Sequence, residues 1–256
     1  MRVLFDVEAR TDAAYDSTYH HKLRGAIWNA LEGSSHVALH DSEERTGLCY
    51  SNPFPWGGMD AGDERHILVS SPRDELLATI AAEWLDANEL NVGEMPFRVT
   101  EMRDLYPDVG EPGSTGRMRT ETGVYAVLPP QYEDDDSGEY ETYWRPEHSL
   151  EPFQKYVEDQ LQLDHDQFQP GYLPGPAEVA APLFDEWNCM KTFSIPLTVT
   201  TGTTLTVVLS KWEFTYEVRD DNHRRHLNLA LDTGIGGRNG YGLGFLNIVE
   251  REGSAV

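Results

Sequence analysis

A chain of 256 residues is long enough for two domains of ordinary size, and its 44 acidic against 20 basic residues leave a net charge of −24. With no apolar run of membrane-spanning length and no signal peptide, the expectation is a soluble cytoplasmic protein without a membrane partner. Cys49 and Cys189 are too few and too isolated for a disulfide framework or a zinc site, and read as buried small hydrophobes.

Met1 to Ala9 alternates as a first strand, with Val3, Phe5 and Val7 on one face. A helix follows from about Thr18 to Glu32, where Leu23, Ala26, Ile27, Ala30 and Leu31 form an apolar stripe that Gly33 ends. Gly47 to Ser51 and Glu64 to Ser70 read as strands joined by a Pro-, Gly- and Trp-rich segment. Ser71 is the expected N-cap of a second helix, with Pro72 at its first position, Asp74 and Glu75 in its first turn, and Leu77, Ile80, Ala81, Trp84 and Leu85 buried. A strand over 91–104 completes a β-α-β-β-α-β order.

The stretch before Gly116 is rich in Pro, Gly and acid, which places a linker at 107–116 between a first domain at 1–106 and a second at 117–256. In the second, 117–128 reads as a strand, 131–143 as an acidic excursion, 152–162 as a helix and 171–182 as a proline-rich loop. Strands at 192–200 and 204–218, a helix at 221–232 and a last strand at 245–249 repeat the first order. The expected fold is α+β: two tandem ferredoxin-like, RRM-like domains, each with an antiparallel sheet.

The charge argues against a conventional nucleic-acid protein, which carries a basic face. Its distribution points elsewhere: acids are spread along the whole chain and only Lys22, Lys155, Lys191 and Lys211 are lysines, the pattern of halophilic proteins bathed in a salt-filled cytoplasm. In molar salt the Debye length is about 3 Å, so any RNA contact must be short-range: arginine forks, backbone N–H groups, 2′-hydroxyl contacts and stacking.

One segment suits that regime. Gly234-Ile235-Gly236-Gly237-Arg238-Asn239-Gly240-Tyr241-Gly242-Leu243-Gly244 combines backbone that can converge on an anion with one guanidinium. A flexible turn is the plainer reading. Dinucleotide-binding and Walker loops are set aside, because Asn239 stands where G-x-G-x-x-G needs its third glycine and no Gly-Lys-Ser/Thr follows.

The arrangement G-x-G, five residues, G-x-G resembles the glycine-rich loop of the CRISPR repeat-processing endoribonucleases, the sixth CRISPR-associated protein family within the RAMP superfamily. The SNPFP turn at Ser51 to Pro55 and a histidine after the first helix are similar to the same family. The resemblance implies RNA binding by Gly234, Gly236, Gly237, Arg238, Asn239, Gly240, Tyr241, Gly242 and Gly244, with Arg224 and Arg225 one helix earlier. It carries the catalytic histidine onto His40, with His36 as the alternative in the same loop. The family's lysine has no counterpart after His40; Arg45 is the nearest downstream cation, and Tyr19, with Tyr15, the nearest upstream hydroxyl. Arg117 and Arg119 are additional candidates for the RNA track.

Such an enzyme needs a base for the 2′-OH proton, an acid for the departing 5′-oxygen and a cation at the phosphate, and histidine suits either proton role. No cofactor and no metal site are expected. His36 and His40 lack a helix to present them together, and Asp134-Asp135-Asp136 fails as a calcium loop because Arg145 occupies the last ligand position. The implied activity is metal-independent cleavage of precursor CRISPR RNA within its repeats, leaving a 2′,3′-cyclic phosphate and a 5′-OH. The implied partners are the repeat RNA and other subunits of an interference complex. Non-catalytic repeat binding, or a generic RNA-binding module, remains the alternative.

Overall fold

The structure is a computed structural model that describes residues 1–40, 42, 44–129, 142–168, 178–200 and 203–252. The acidic excursion over 131–141, with Asp134 to Asp136, and 171–177 of the proline-rich loop lie outside the described residues.

The first half folds as β1 (Arg2–Ala9), α1 (Tyr19–Ala30), β2 (Cys49–Tyr50), β3 (Glu64–Ser70), α2 (Asp74–Ala87), β4 (Leu90–Val92) and β5 (Met95–Leu105). Its antiparallel sheet has the order β2-β3-β1-β5-β4. The alternation of β1 has a direct result: Val3, Phe5 and Val7 turn inward against the helices, where Phe5 meets the Trp84 ring edge-on at 4.6 Å.

Three local expectations need correction. The strand expected over 91–104 is a hairpin, because Gly93 with φ of +65° turns the chain between β4 and β5. Ser71 does not cap α2; its Oγ accepts the Arg73 N–H at 3.1 Å in a local turn, which leaves Pro72 outside a helix that begins at Asp74. Leu85 is 42% exposed while Leu76 is buried. Eight residues carry a helix about 80° past two full turns, so Leu85 drifts off the face that Leu77 defines.

The second half contains β6 (Thr115–Thr120), β7 (Val124–Tyr125), α3 (Glu151–Phe168), β8 (Glu186–Thr200), β9 (Thr203–Glu217), α4 (Asp221–Thr233) and β10 (Leu246–Glu252). β10, β6 and β9 are consecutive in an antiparallel sheet, with β8 on the far side of β9. The single strand expected over 117–128 is interrupted at Glu121–Gly123 and resumes as β7 beside Leu209 and Ser210. α3 is longer than the expected 152–162. Beneath it, the Phe153 and Trp212 rings stack at 4.5 Å in a core separate from that of the first half. No described helix is long and apolar enough to cross a membrane.

The two halves meet through specific chemistry. The buried Arg2 guanidinium reaches Asn247 and the carbonyls of Leu231 and Leu246, with its carbon 4.6 Å from the Phe245 ring centroid. Cys49 is fully buried beside Leu68 and Phe245, and burial pushes its thiol up to about 12, so it remains an inert thiol; Cys189 is only half-buried.

Candidate active site

α1 ends at Ala30 and the chain re-enters as a 3-10 turn, Ser35–His40, that sets His40 in an exposed position. The His40 ring meets the Trp28 indole edge-on at 4.9 Å, so the histidine is steered by the last turn of α1. His36, in the same turn, is half-buried, and its backbone N–H bonds to Ser34 Oγ at 3.2 Å.

The other two residues carried over as catalytic lie elsewhere. Tyr19 opens α1, nine residues before Trp28, which is about 13 Å along a helix axis. It is buried against the His20 ring at 4.0 Å, and burial holds its phenol well above the ordinary value. Arg45 is committed across the domain interface: it pairs with Asp164 at 3.2 Å and bonds to Gln160, while its backbone exchanges hydrogen bonds with the Gln167 amide at 3.0 and 2.6 Å. Burial of Asp164 nonetheless pushes that carboxyl up to about 6.

The glycine segment is where the two halves join, and much of it is closed. Ile235 and Leu243 are buried, and the Asn239 amide donates to both of their carbonyls, at 3.2 and 3.0 Å. Gly242 and Gly244 have φ of +72° and +73°; a Cβ on the first would stand 2.3 Å from the Tyr50 ring, and on the second 1.9 Å from the Ile235 carbonyl oxygen. These glycines therefore admit the protein's own groups. The surface that remains half-exposed is Arg238 to Tyr241. There Asn239 and Gly240 begin a 3-10 turn, and neither N–H donates to a protein acceptor among the described residues. Arg238 lies over the Tyr125 ring at 5.0 Å.

Tyr241 is held from three sides. Its hydroxyl donates to the Val199 carbonyl at 3.1 Å, its carbonyl accepts from His20 Nδ1 at 2.9 Å, and its ring lies under Arg24, 4.6 Å from the guanidinium carbon. His20, the second residue of α1, is buried in this joint, and desolvation lowers its imidazole to about 4. Arg224 faces the other end of α4. It pairs with Asp108 and Glu111 at 3.0 and 2.9 Å, ten residues or about 15 Å along the axis from Gly234. Arg225 bonds to Asn222 in the same turn. Neither joins the loop, because the helix axis separates them from it.

A cleft of about 720 Å³ separates the halves beside this joint. One wall presents Tyr19, His20, Phe54 and the exposed Trp56, whose ring rests on Tyr15 at 3.9 Å. The other presents Arg119, Lys191 and Lys211. The two lysines are direct cross-strand partners, an arrangement unfavourable for like charges unless an anion lies between them. Lysine scarcity was the available signal, since the cleft takes two of the four in the chain. Arg117 is instead neutralised by Glu213 and Glu250. Among the described residues no group of three or more His, Cys, Asp or Glu is placed to hold a metal.

Comparison with known proteins decides the family. A family model described as CRISPR associated protein Cas6, C-terminal, matches residues 114–248. The chain is also 51% identical over 255 residues to a Haloferax mediterranei protein named CRISPR-associated endoribonuclease Cas6, covering 98% of this chain and 94% of that one. The chain belongs to the Cas6 family. Two solved Cas6 structures share its fold. One, described as CRISPR associated protein Cas6, has a TM-score of 0.71 at 16% identity and covers 98% of this chain and 99% of that chain. The other, from a Cas6-related gene of Pyrococcus furiosus, has a TM-score of 0.70 at 17% identity over 97% and 98%. The tandem ferredoxin-like reading holds, and this Cas6 chain is an endoribonuclease by family.

Proposed function

We propose that this protein cleaves precursor CRISPR RNA within its repeats by metal-independent transfer of the phosphoryl group to the neighbouring 2′-oxygen. The observation that carries the reading is the full-length likeness to the Haloferax mediterranei endoribonuclease. In the step, the 2′-oxygen bonds to phosphorus and the bond to the 5′-oxygen breaks. The 2′-OH proton passes to a base and another proton reaches the leaving oxygen, giving a 2′,3′-cyclic phosphate and a 5′-OH. His40 serves one of these proton transfers. Its exposed place on a turn, with Trp28 meeting the ring edge-on, suits contact with an extended strand of RNA.

The half-exposed backbone of Asn239 and Gly240, with Arg238 and Tyr241, binds backbone phosphate near His40. The cleft takes a single-stranded part of the repeat, with phosphate between Lys191 and Lys211 and a base against Trp56. The proposed domain division is 1–106, a linker at 107–116, and 117–256. Other subunits of an interference complex are further proposed partners.

The test is incubation with labelled repeat RNA in molar KCl and EDTA, beside a copy carrying one 2′-deoxy nucleotide at the cut site. Cleavage of the first, protection of the second, and an H40A variant that binds but does not cut are the expected results. Cutting of the deoxy copy, or undiminished cutting by H40A, would falsify the mechanism. Binding without cleavage by the parent protein would make it a repeat-binding subunit, and equal binding of a scrambled RNA a generic RNA-binding module.

A further inference from the structure

The charge that grows on the scissile phosphate calls for a cation beside it, and the ion pairs of the molecule narrow the choice. Arg45 is held by Asp164, Arg73 by Glu44, and Arg119 by Glu121. Arg24 differs from these. Among the described residues it makes no ion pair and no hydrogen bond, in a chain that carries 44 carboxylates. Its contacts are aromatic instead: the guanidinium carbon lies 4.6 Å from the Tyr241 ring centroid and 5.9 Å from that of Trp28. Aromatic faces position a guanidinium while leaving its N–H edge available to an oxyanion.

Those two rings place Arg24 at one junction. Tyr241 belongs to the glycine segment, and Trp28 is the ring that His40 meets edge-on at 4.9 Å. Arg24 and His40 thus contact the same indole, one four residues along α1 from it and the other from the turn after the helix. Asn239 and Gly240, whose backbone is half-exposed, immediately precede Tyr241 in the chain.

We propose that Arg24 is the cation of the active site: its guanidinium donates to the non-bridging oxygens of the scissile phosphate and stabilises the charge that grows there as the 2′-oxygen attacks. The assignment rests on the endoribonuclease reading above. Arg24 exchanges no proton in the step; the protons move through His40 and its counterpart.

The experiment is single-turnover cleavage of repeat RNA by R24M, which keeps the apolar stem against Tyr241 and Trp28, with H40A measured in parallel. The R24M rate at saturating RNA is expected to fall about 100-fold, as for loss of one oxyanion donor. RNA affinity and melting temperature should stay near those of the parent, and millimolar guanidinium should restore part of the rate. Guanidinium rescue is a response that a packing role would not show. An unchanged rate at saturation, or a loss confined to affinity, overturns the proposal while an inactive H40A leaves the endoribonuclease reading standing. Full activity in both variants removes both. Should R24M not fold, R24K retains stem and charge without the fork, and a parental rate for it overturns the requirement for a guanidinium.

Discussion

Replacing Gly244 by alanine asks whether the glycine segment is built for RNA or for the protein. The new Cβ would lie 1.9 Å from the Ile235 carbonyl oxygen and 3.1 Å from the Asn239 amide, at a φ of +73°. The left-handed conformation costs alanine about 1–2 kcal/mol, and the overpacking a further ~1–3 kcal/mol. The Ile235 N–H to Gly244 carbonyl bond, at 3.0 Å, has to move as well. A loss of about 2–5 kcal/mol corresponds to a melting temperature roughly 5–15 °C lower for a chain of this size. Gly240 is the matched control: its Cβ would meet nothing nearer than Thr46 Oγ1 at 3.5 Å, and its φ is not left-handed. G240A should melt within about 1–2 °C of the parent. Its RNA affinity should fall about tenfold, as for one impaired hydrogen bond to a phosphate. Thermal melts and RNA titrations in molar KCl read both quantities. A G244A protein that melts with the parent yet no longer binds RNA would refute the packing argument.

Two further outcomes concern the joint between the halves. His20 at the joint, and His226 within the second half beside the His165 ring, are lowered by burial to about 4, below the 6.5 of an unfolded histidine, so the unfolded chain takes up more protons as pH falls from about 6.5 to 4. Stability is therefore full above that window and declines within it, by about 3 kcal/mol from His20. Asp164, raised to about 6, works in the opposite sense; melts of the parent and H20Q between pH 7.5 and 5 should show a shallower decline in the variant. R45M strands a buried carboxylate and should lower stability by about 2 kcal/mol, with D164N in the same background recovering most of it. Its cleavage rate at saturating RNA should match the parent. A large rate loss at constant melting temperature would put the Arg45 guanidinium on the phosphate instead.

Periodicity exposed most of the fold, because Val3, Phe5 and Val7 or Leu77, Ile80, Ala81 and Trp84 repeat at the spacing of the element they build. What it missed was where a pattern thins out: Leu85 at the end of a drifting face, Ser71 serving a turn, and Gly93 folding one strand into two. At the site, the glycine segment was legible as a sequence pattern, but the objects its glycines accommodate were not, since Tyr50 lies nearly two hundred residues away in the chain. Proximity in sequence likewise suggested Tyr19 and Arg45 as companions of His40. Nine helical residues separate Tyr19 from the Trp28 ring beside His40, and a carboxylate on α3 claims Arg45. Arg24 could be read as a neighbour of Trp28 one turn away, but its contact with Tyr241 exists only once both halves are folded.

The packing of Tyr50 against Gly242, with Cys49 Sγ beside the Leu243 carbonyl at 3.4 Å, constrains how such proteins can be recombined. A chimera joining the first half of this chain to the second half of a relative would bring together a ring and a hollow shaped by different histories. Such hybrids should succeed only when the strand at Cys49–Tyr50 and the glycine segment come from the same parent. The crossover that preserves this protein is therefore defined by a surface in space, and no single cut in the linker supplies it.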